Sequence, residues 1–322
     1  VWHLYFRTPQ LEPASLGKMI FPLPDKPSIA ILPFVNMSGD PEQEYFSDGV
    51  TEDLITDLSK IPGLLVISRT SSFVYKGKPV KIQEIAKELG VRYVLEGSVR
   101  RAENRVRINA QLVDSTKGHH IWAERYDEHI GDIFVLQDRI TQKIVSALAV
   151  ELTEDEQRLL AQKETDSIEA YDAFLKGANL TVRLDRELYA DAVPWFEKAI
   201  TLDPGYSRAY AALAETYWHG ALLGFQTKLG IPYRIARLRS LHYLQKALED
   251  ETSIGHRLAA FIYAFRRQHD NALDHAMRAV AIDSSDGKSY QTVGFMLCYL
   301  GRYDEAIDFA ERSERVDPKC YH

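Results

Sequence analysis

The feature that most restricts this chain is a spacing. Between residues 173 and 322, small and bulky apolar side chains recur with a period of about 34. With residue 173 as the first position of a unit, Ala192, Phe196, Ala199 and Pro204 occupy its second half. The next unit opens at 207 with Tyr210, Leu213, Ala214 and Tyr217. After a displacement of about fourteen residues, Ser240, Leu244 and Ala247 restore the spacing. A third unit, from 253, carries Ala260, Tyr263, Ala272 and Ala279, with Ser284 in the place of proline. The fourth, from 287, carries Tyr290, Gly294, Gly301, Tyr303, Ala306 and Pro318. Apolar positions three and four apart make one helical face, and small residues let two helices approach. A unit of this kind cannot bury its face alone, so the units must stack.

This pattern resembles the tetratricopeptide repeat (TPR). The resemblance implies an all-α TPR superhelix over 165–322, with repeats near 173–206, 207–252, 253–286 and 287–322. Extra residues between the helices of repeat one and an insertion at His219–Arg239 in repeat two are expected to distort the groove locally. In that family the concave surface is lined by fixed positions of each first helix. Carried onto this chain, they are Ala211, Glu215, Trp218 and His219, then Arg257, Phe261 and Phe265, then Lys288, Gln291, Phe295, Cys298 and Tyr299. The partner implied is a protein or peptide seated in the groove. The rings at Phe261, Phe265, Phe295 and Tyr299 suit an apolar or helical segment, a further part of the protein, or a second copy through self-association. Repeat four reaches His322 without a polar capping helix, so an uncovered apolar face and more sequence downstream are expected.

Ahead of the repeats the periodicity changes. Ser28–Val35 is an apolar run stopped by a turn cluster, which predicts a buried strand. Asp40 and Pro41 open a helix to Ile61, whose apolar positions run through Phe46, Val50, Leu54, Ile55 and Leu58. A strand at Leu64–Ser68 and a helix at Ile82–Leu89, ended by Gly90, follow. From Tyr93 the period drops to two. Tyr93, Leu95, Gly97 and Val99 face one way, and Val106, Ile108, Ala110 and Leu112 alternate in the same manner beyond a turn at Ala102–Asn104, so a hairpin is predicted. His119–Tyr126 is a third strand, and a helix from about Asp132 to Leu152 closes the unit. The fold class expected is therefore an α/β (α+β) domain with a mixed sheet at 28–155, followed by the repeats. The polar stretch Leu160–Asp166 is read as a protease-accessible joint, with a fragment ending near 155 expected to fold alone.

The segments SIAILPFVNMSGDPEQEYFSDGVTEDLITDLSKI, YVLEGSVRR, RVRINAQLVD and GHHIWAERYD resemble, in order, the TolB-amino-terminal-like domain. The resemblance covers about 27–152. It implies the C-terminal region of a bacterial signalling protein, with a class III adenylate/guanylate cyclase domain upstream or, alternatively, a winged-helix DNA-binding domain. That domain has no assigned catalytic residues to carry over.

Residues 1–27 are read as a juxtamembrane or linker segment. VWHLYF followed by Arg7 has the aromatic and cationic character of a chain leaving a bilayer, and Pro9, Pro13, Pro22, Pro24 and Pro27 suit an extended stretch. Membrane attachment is expected only through an upstream helix, giving a periplasmic module; the alternative is cytoplasmic.

A net charge of −7 argues against direct nucleic-acid binding, and two cysteines, Cys298 and Cys320, exclude a disulfide framework. Neither GxxxxGK[ST] nor GxGxxG occurs, nor do HExxH and GxSxG. His119 and His120 are strand neighbours pointing to opposite faces. No catalytic residue, metal site or cofactor is expected. The acidic run Asp40, Glu42, Glu44, Asp48, Glu52, Asp53 and Asp57 reads as a solvated helix face rather than a cation site. The cluster Arg92, Arg100, Arg101, Arg105 and Arg107 reads as a charged exposed face rather than a phosphate site.

Overall fold

The structure, a computed structural model, describes residues 19–182 and 186–320, apart from the side chains of 186, 187 and 225. The readings placed on Val1–Phe6, Pro9 and Pro13 lie outside the described residues. β1 (Ser28–Ile31) is buried along its whole length, which an unbroken apolar run encodes. The strand ends earlier than Val35 because Pro33 offers no ladder N–H. The Phe34 N–H turns to Thr51 Oγ1 at 3.0 Å, and Val35–Asn36 forms the separate short β2. Pro41–Gln43 is a 3₁₀ turn capped by Asp40, which accepts from the Glu42 N–H, and α1 (Glu44–Ser59) continues from it.

β3 (Leu65–Val66) pairs in parallel with β1, which pairs in parallel with β4 (Tyr93–Ala102). β5 (Arg105–Asp114) and β6 (His119–His129) extend the sheet antiparallel, in the order β3-β1-β4-β5-β6, while β2 pairs with β4. The mixed sheet is as the alternating periods require. Between β3 and β4 lie α2 (Arg69–Phe73), which the sequence reading missed, and α3 (Ile82–Leu89), stopped by Gly90 at φ 64°. α1 and α4 (Ile133–Ala147) cover one sheet face over Ile29, Ile31, Leu95 and Ile108. α3 covers the other with Ala30, Ile67 and Val94, so Val94 is buried although alternation put it toward water. The closing helix is shorter than Asp132–Leu152. Ala149 adopts φ 53°, and a new helix, α5 (Glu154–Leu160), starts at a Thr153–Glu156 capping box.

The repeats follow as antiparallel pairs. α6 (Ile168–Thr181) pairs with α7 (Arg186–Asp191) and α8 (Val193–Leu202), whose break falls just ahead of Pro194. α9 (Ser207–Leu223) pairs with α10 (Tyr233–Ala247), α11 (Ser253–Phe265) with α12 (His269–Ile282), and α13 (Gly287–Tyr299) with α14 (Tyr303–Val316). The small positions Ala214, Ser240, Ala260, Ala272 and Ala279 are all fully buried between helices. The insertion lengthens α9 and leaves it through Gly224, at φ 80°.

The stretch Leu160–Asp166 does not separate two bodies. Thr165 Oγ1 donates to Asp203 and Glu164 pairs with Arg208, so the segment is docked. Tyr171, Phe174 and Leu175 of α6 share one apolar core with Leu54, Leu58 and Ile140. A Cβ on Gly49 of α1 would stand 2.5 Å from Leu175 Cδ1, so only glycine permits this closeness without a shift. Further along, the turn between repeats three and four and the end of repeat four lie against the α/β unit. Ser284 Oγ donates to the Ser59 carbonyl at 2.6 Å, Ser68 and Ser71 both donate to Asp317, and Arg315 Nη2 donates to the Gly90 carbonyl at 2.8 Å.

Ion pairs within the α/β unit, and one set across to the repeats, correct the reading of the acidic run as a solvated face. Glu44 and Asp48 hold Lys76, Glu52 holds Arg69, and Glu52 and Asp53 hold Arg208. Within the arginine cluster, Arg92 meets Asp114, Arg101 meets Asp172 on α6, and Arg105 and Arg107 converge on Asp127. The paired arginines hold Asp127 down at about 2.

Candidate partner-binding groove

The first helices of repeats two to four, α9, α11 and α13, place the expected groove residues side by side, and burial divides them. Ala211 is fully buried. Arg257, whose side chain is 10 % exposed, donates to Glu215 at 2.9 Å and to Asp286. It thereby bolts repeat two to repeats three and four. Burial alone would raise the Glu215 carboxyl, but Arg257, His219 and Lys288 together bring it down to about 2. Trp218, 2 % exposed, packs among Leu244, Leu258 and Ile262. His219 Nδ1 lies 2.9 Å from Tyr189 Oη, and burial lowers its pKa. Glu215, Trp218 and Arg257 therefore hold the stack together instead of offering free contacts. An indole of that size at a helix interface fills the gap between repeats.

The remaining residues form the open surface. Phe265, Phe295 and Tyr299 are 61 %, 56 % and 64 % exposed. Lys288 and Cys298 are exposed beside them. Phe261 is half-buried against the Val293 and Met296 cluster, and Gln291 is half-buried with its Nε2 3.9 Å from Cys320 Sγ.

Two further residues at the edge of this strip escaped the sequence reading. Arg237 lays its guanidinium 4.2 Å from the Trp218 ring centre and within 5.9 Å of Phe265. His269 stacks on Tyr299 at 5.5 Å. Once the displacement of about fourteen residues in repeat two is removed, both occupy the same repeat position in a second helix. Each rests on the aromatic ring that ends the next repeat's first helix. The signal was present in the register, hidden by the insertion.

Two recesses elsewhere are small. One, about 60 Å³, lies at the junction among Asp57, Lys60, Tyr206 and Arg208; another, about 240 Å³, lies between Arg101, Ile168 and Trp195. Both fall below the ~300 Å³ at which small-molecule sites begin. In the first, the buried Tyr206 Oη meets no hydrogen-bond partner among the described residues, and there is room for a few waters. Burial raises Asp57 there to about 6 despite Lys60 at 2.8 Å. Among the described residues no His, Cys, Asp and Glu group is spaced for a metal ion, and no helix is long and apolar enough to cross a membrane.

Fold and site together define a class: a mixed-sheet α/β unit docked on the turn edge of a TPR-type superhelix, with an aromatic strip open in the groove. A family described as HilA/YgeH-like transcriptional regulator, second domain, matches residues 25–143. The chain is similar to "Putative adenylate cyclase 3" of Rhizobium meliloti (strain 1021), 44% identical over 263 residues. That match takes in 79% of this chain and 43% of the relative, so the chain spans less than half of that protein's length. A stretch of 51 residues, 16% of the chain and 14% of the relative, is 43% identical to small glutamine-rich tetratricopeptide repeat-containing protein 2 of Mycosarcoma maydis. Among solved structures, TolB from Acinetobacter baumannii aligns with 39% of this chain and 29% of its own, at 22% identity and TM-score 0.29. MamA protein aligns with 59% and 89%, at 18% identity and TM-score 0.32.

Proposed function

We propose that this chain is a non-catalytic interaction module that seats a protein or peptide segment in its TPR groove. In the parent protein it serves as the regulatory part of an adenylate cyclase-like signalling molecule. The observation that carries the reading is the strip of Phe265, Phe295 and Tyr299, exposed on the first helices of consecutive repeats. Rings held open on rigid helices are the kind of anchor that binding surfaces use, and they cost solubility when nothing covers them. The cyclase setting is supported by the long match to the cyclase-named relative, against a match confined to 25–143 for the transcriptional-regulator family.

A photo-crosslinking residue at position 295, compared with one at 311 on exposed α14, tests the groove. Crosslinked protein at 295 and none at 311 is the expected outcome; equal labelling at both would end the groove reading. The purified chain is also expected to form no cyclic nucleotide from ATP or GTP with magnesium or manganese, and turnover above a heat-killed control would overturn that part.

A further inference from the structure

We infer that the segment seated in this groove is acidic as well as apolar, and that Arg237 receives its carboxylate. The inference rests on the groove reading above and adds the chemistry of the partner. Arg237 is half-buried, gripped by the rings of Trp218 at 4.2 Å, Tyr233 at 5.8 Å and Phe265 at 5.9 Å. Its Nη1 donates to Tyr233 Oη at 3.0 Å. Among the described residues no carboxylate forms an ion pair with it. Two other arginines of the repeats do have carboxylate partners: Arg257 pairs with Glu215 and Asp286, and Arg302 with Glu305.

A guanidinium held flat against rings keeps its edge donors aimed in fixed directions, so little rotamer freedom remains to be lost on binding. Those donors match the two oxygens of a carboxylate. Arg237 lies on Trp218 and within 5.9 Å of Phe265, the first of the exposed strip, so an acid at this point lies next to apolar side chains on Phe265, Phe295 and Tyr299. On a chain of net charge −7, a caged cation without its own carboxylate also selects the register of an incoming acidic segment. Single-stranded nucleic acid uses the same pair of features, a cation beside stacking rings. The experiment includes it as a competing ligand.

The test uses the full chain and a fluorescein-labelled peptide in which leucine and phenylalanine alternate with glutamate. The comparison ligands are the same peptide with glutamine, the same with lysine, and a labelled oligothymidylate. The glutamate peptide is expected to bind about tenfold more tightly than the glutamine form and more tightly still than the lysine form. Arg237→Gln should erase that preference, Arg237→Lys should keep part of it, and Phe295→Ala should weaken both neutral and acidic peptides alike. Each variant is checked by thermal melt, because Arg237 also covers Trp218. Equal binding of the glutamate and glutamine peptides sinks this inference and leaves the groove reading standing. Binding of none of the peptides sinks both. Oligothymidylate binding tighter than the glutamate peptide would overturn the choice of partner.

Discussion

Arg208, in the first turn of α9, donates to Asp53 of α1 across 2.8 Å, although 155 positions separate them in the chain. The same aspartate accepts from Gln137 Nε2 at 3.0 Å and from the Tyr171 hydroxyl. Four elements, α1, α4, α6 and α9, thus meet on one carboxylate, and the α/β unit becomes part of the repeat stack. With Arg208 and Asp53 only 10% and 12% exposed, removing one partner leaves a buried charge behind. Arg208→Ala is expected to lower stability by on the order of 3 kcal/mol. A urea titration checks it, and a loss under about 0.5 kcal/mol would place the pair among ordinary surface contacts.

The shared core also bears on the fragment ending near residue 155. Such a fragment would uncover the α1 and α4 surfaces on which Tyr171, Phe174 and Leu175 now pack. Its melt is expected to be less cooperative and lower than that of the whole chain. A fragment melting as steeply and as high would show that the α6 contact adds nothing.

In β4, Gly97 stands opposite Ala110, and a Cβ there would come within 2.3 Å of the Asn109 carbonyl oxygen and 2.9 Å of Phe34. The obstacle is backbone in a paired strand, which cannot move aside as a side-chain tip can. Gly97→Ala is expected to cost about 2 kcal/mol or more through strand displacement. Chemical denaturation reads the change, and a neutral result would mean that β4 and β5 slide freely.

His256 and His275 share a hydrogen bond between their Nδ1 atoms at 2.8 Å, with Glu251 at 3.8 Å and Asp274 and Arg278 nearby. Burial first, and then His275, hold His256 down at about 4. An unfolded histidine titrates near ~6.5, so between there and about 4 the unfolded chain holds a proton that the folded chain lacks. The stability is complete above the unfolded value and is lost as pH falls toward the folded one. Between pH ~7.5 and ~5 the loss from this group should approach ~2 kcal/mol. Urea titrations at both values measure it, and His256→Leu should flatten the difference; an unchanged slope in that variant would assign the acid sensitivity to other groups.

Trp218 and Phe295 were both groove candidates, and the structure separates them by burial, at 2% and 56% exposure. Trp218→Ala is expected to lower stability by about 3–5 kcal/mol by opening a cavity between repeats. Phe295→Ala should leave the melting temperature within a degree or two while weakening peptide binding. The reverse pattern would exchange core and surface.

Local pattern was sufficient for the longer helices, though not for the short α2 and α5, and for the hairpin and the stacking of the repeats. Periods of two and of three to four are properties of neighbouring residues, and the small positions at Ala214, Ala260 and Gly294 repeat because successive helix pairs meet in the same way. Phe265, Phe295 and Tyr299 were legible as an open strip for that reason. Tertiary structure alone decided what the charges do. The acids of α1 look solvated in sequence, because Arg69, Lys76 and Arg208, which neutralise them, come from distant turns. It likewise decided that Glu215 and Arg257 close on each other and that Trp218 is enclosed, since groove position does not specify how far the neighbouring helix overlaps it. Arg237 reaches the rings of Trp218 and Phe265 only because the insertion returns α10 to the repeat register, an outcome of packing that no local window of sequence contains.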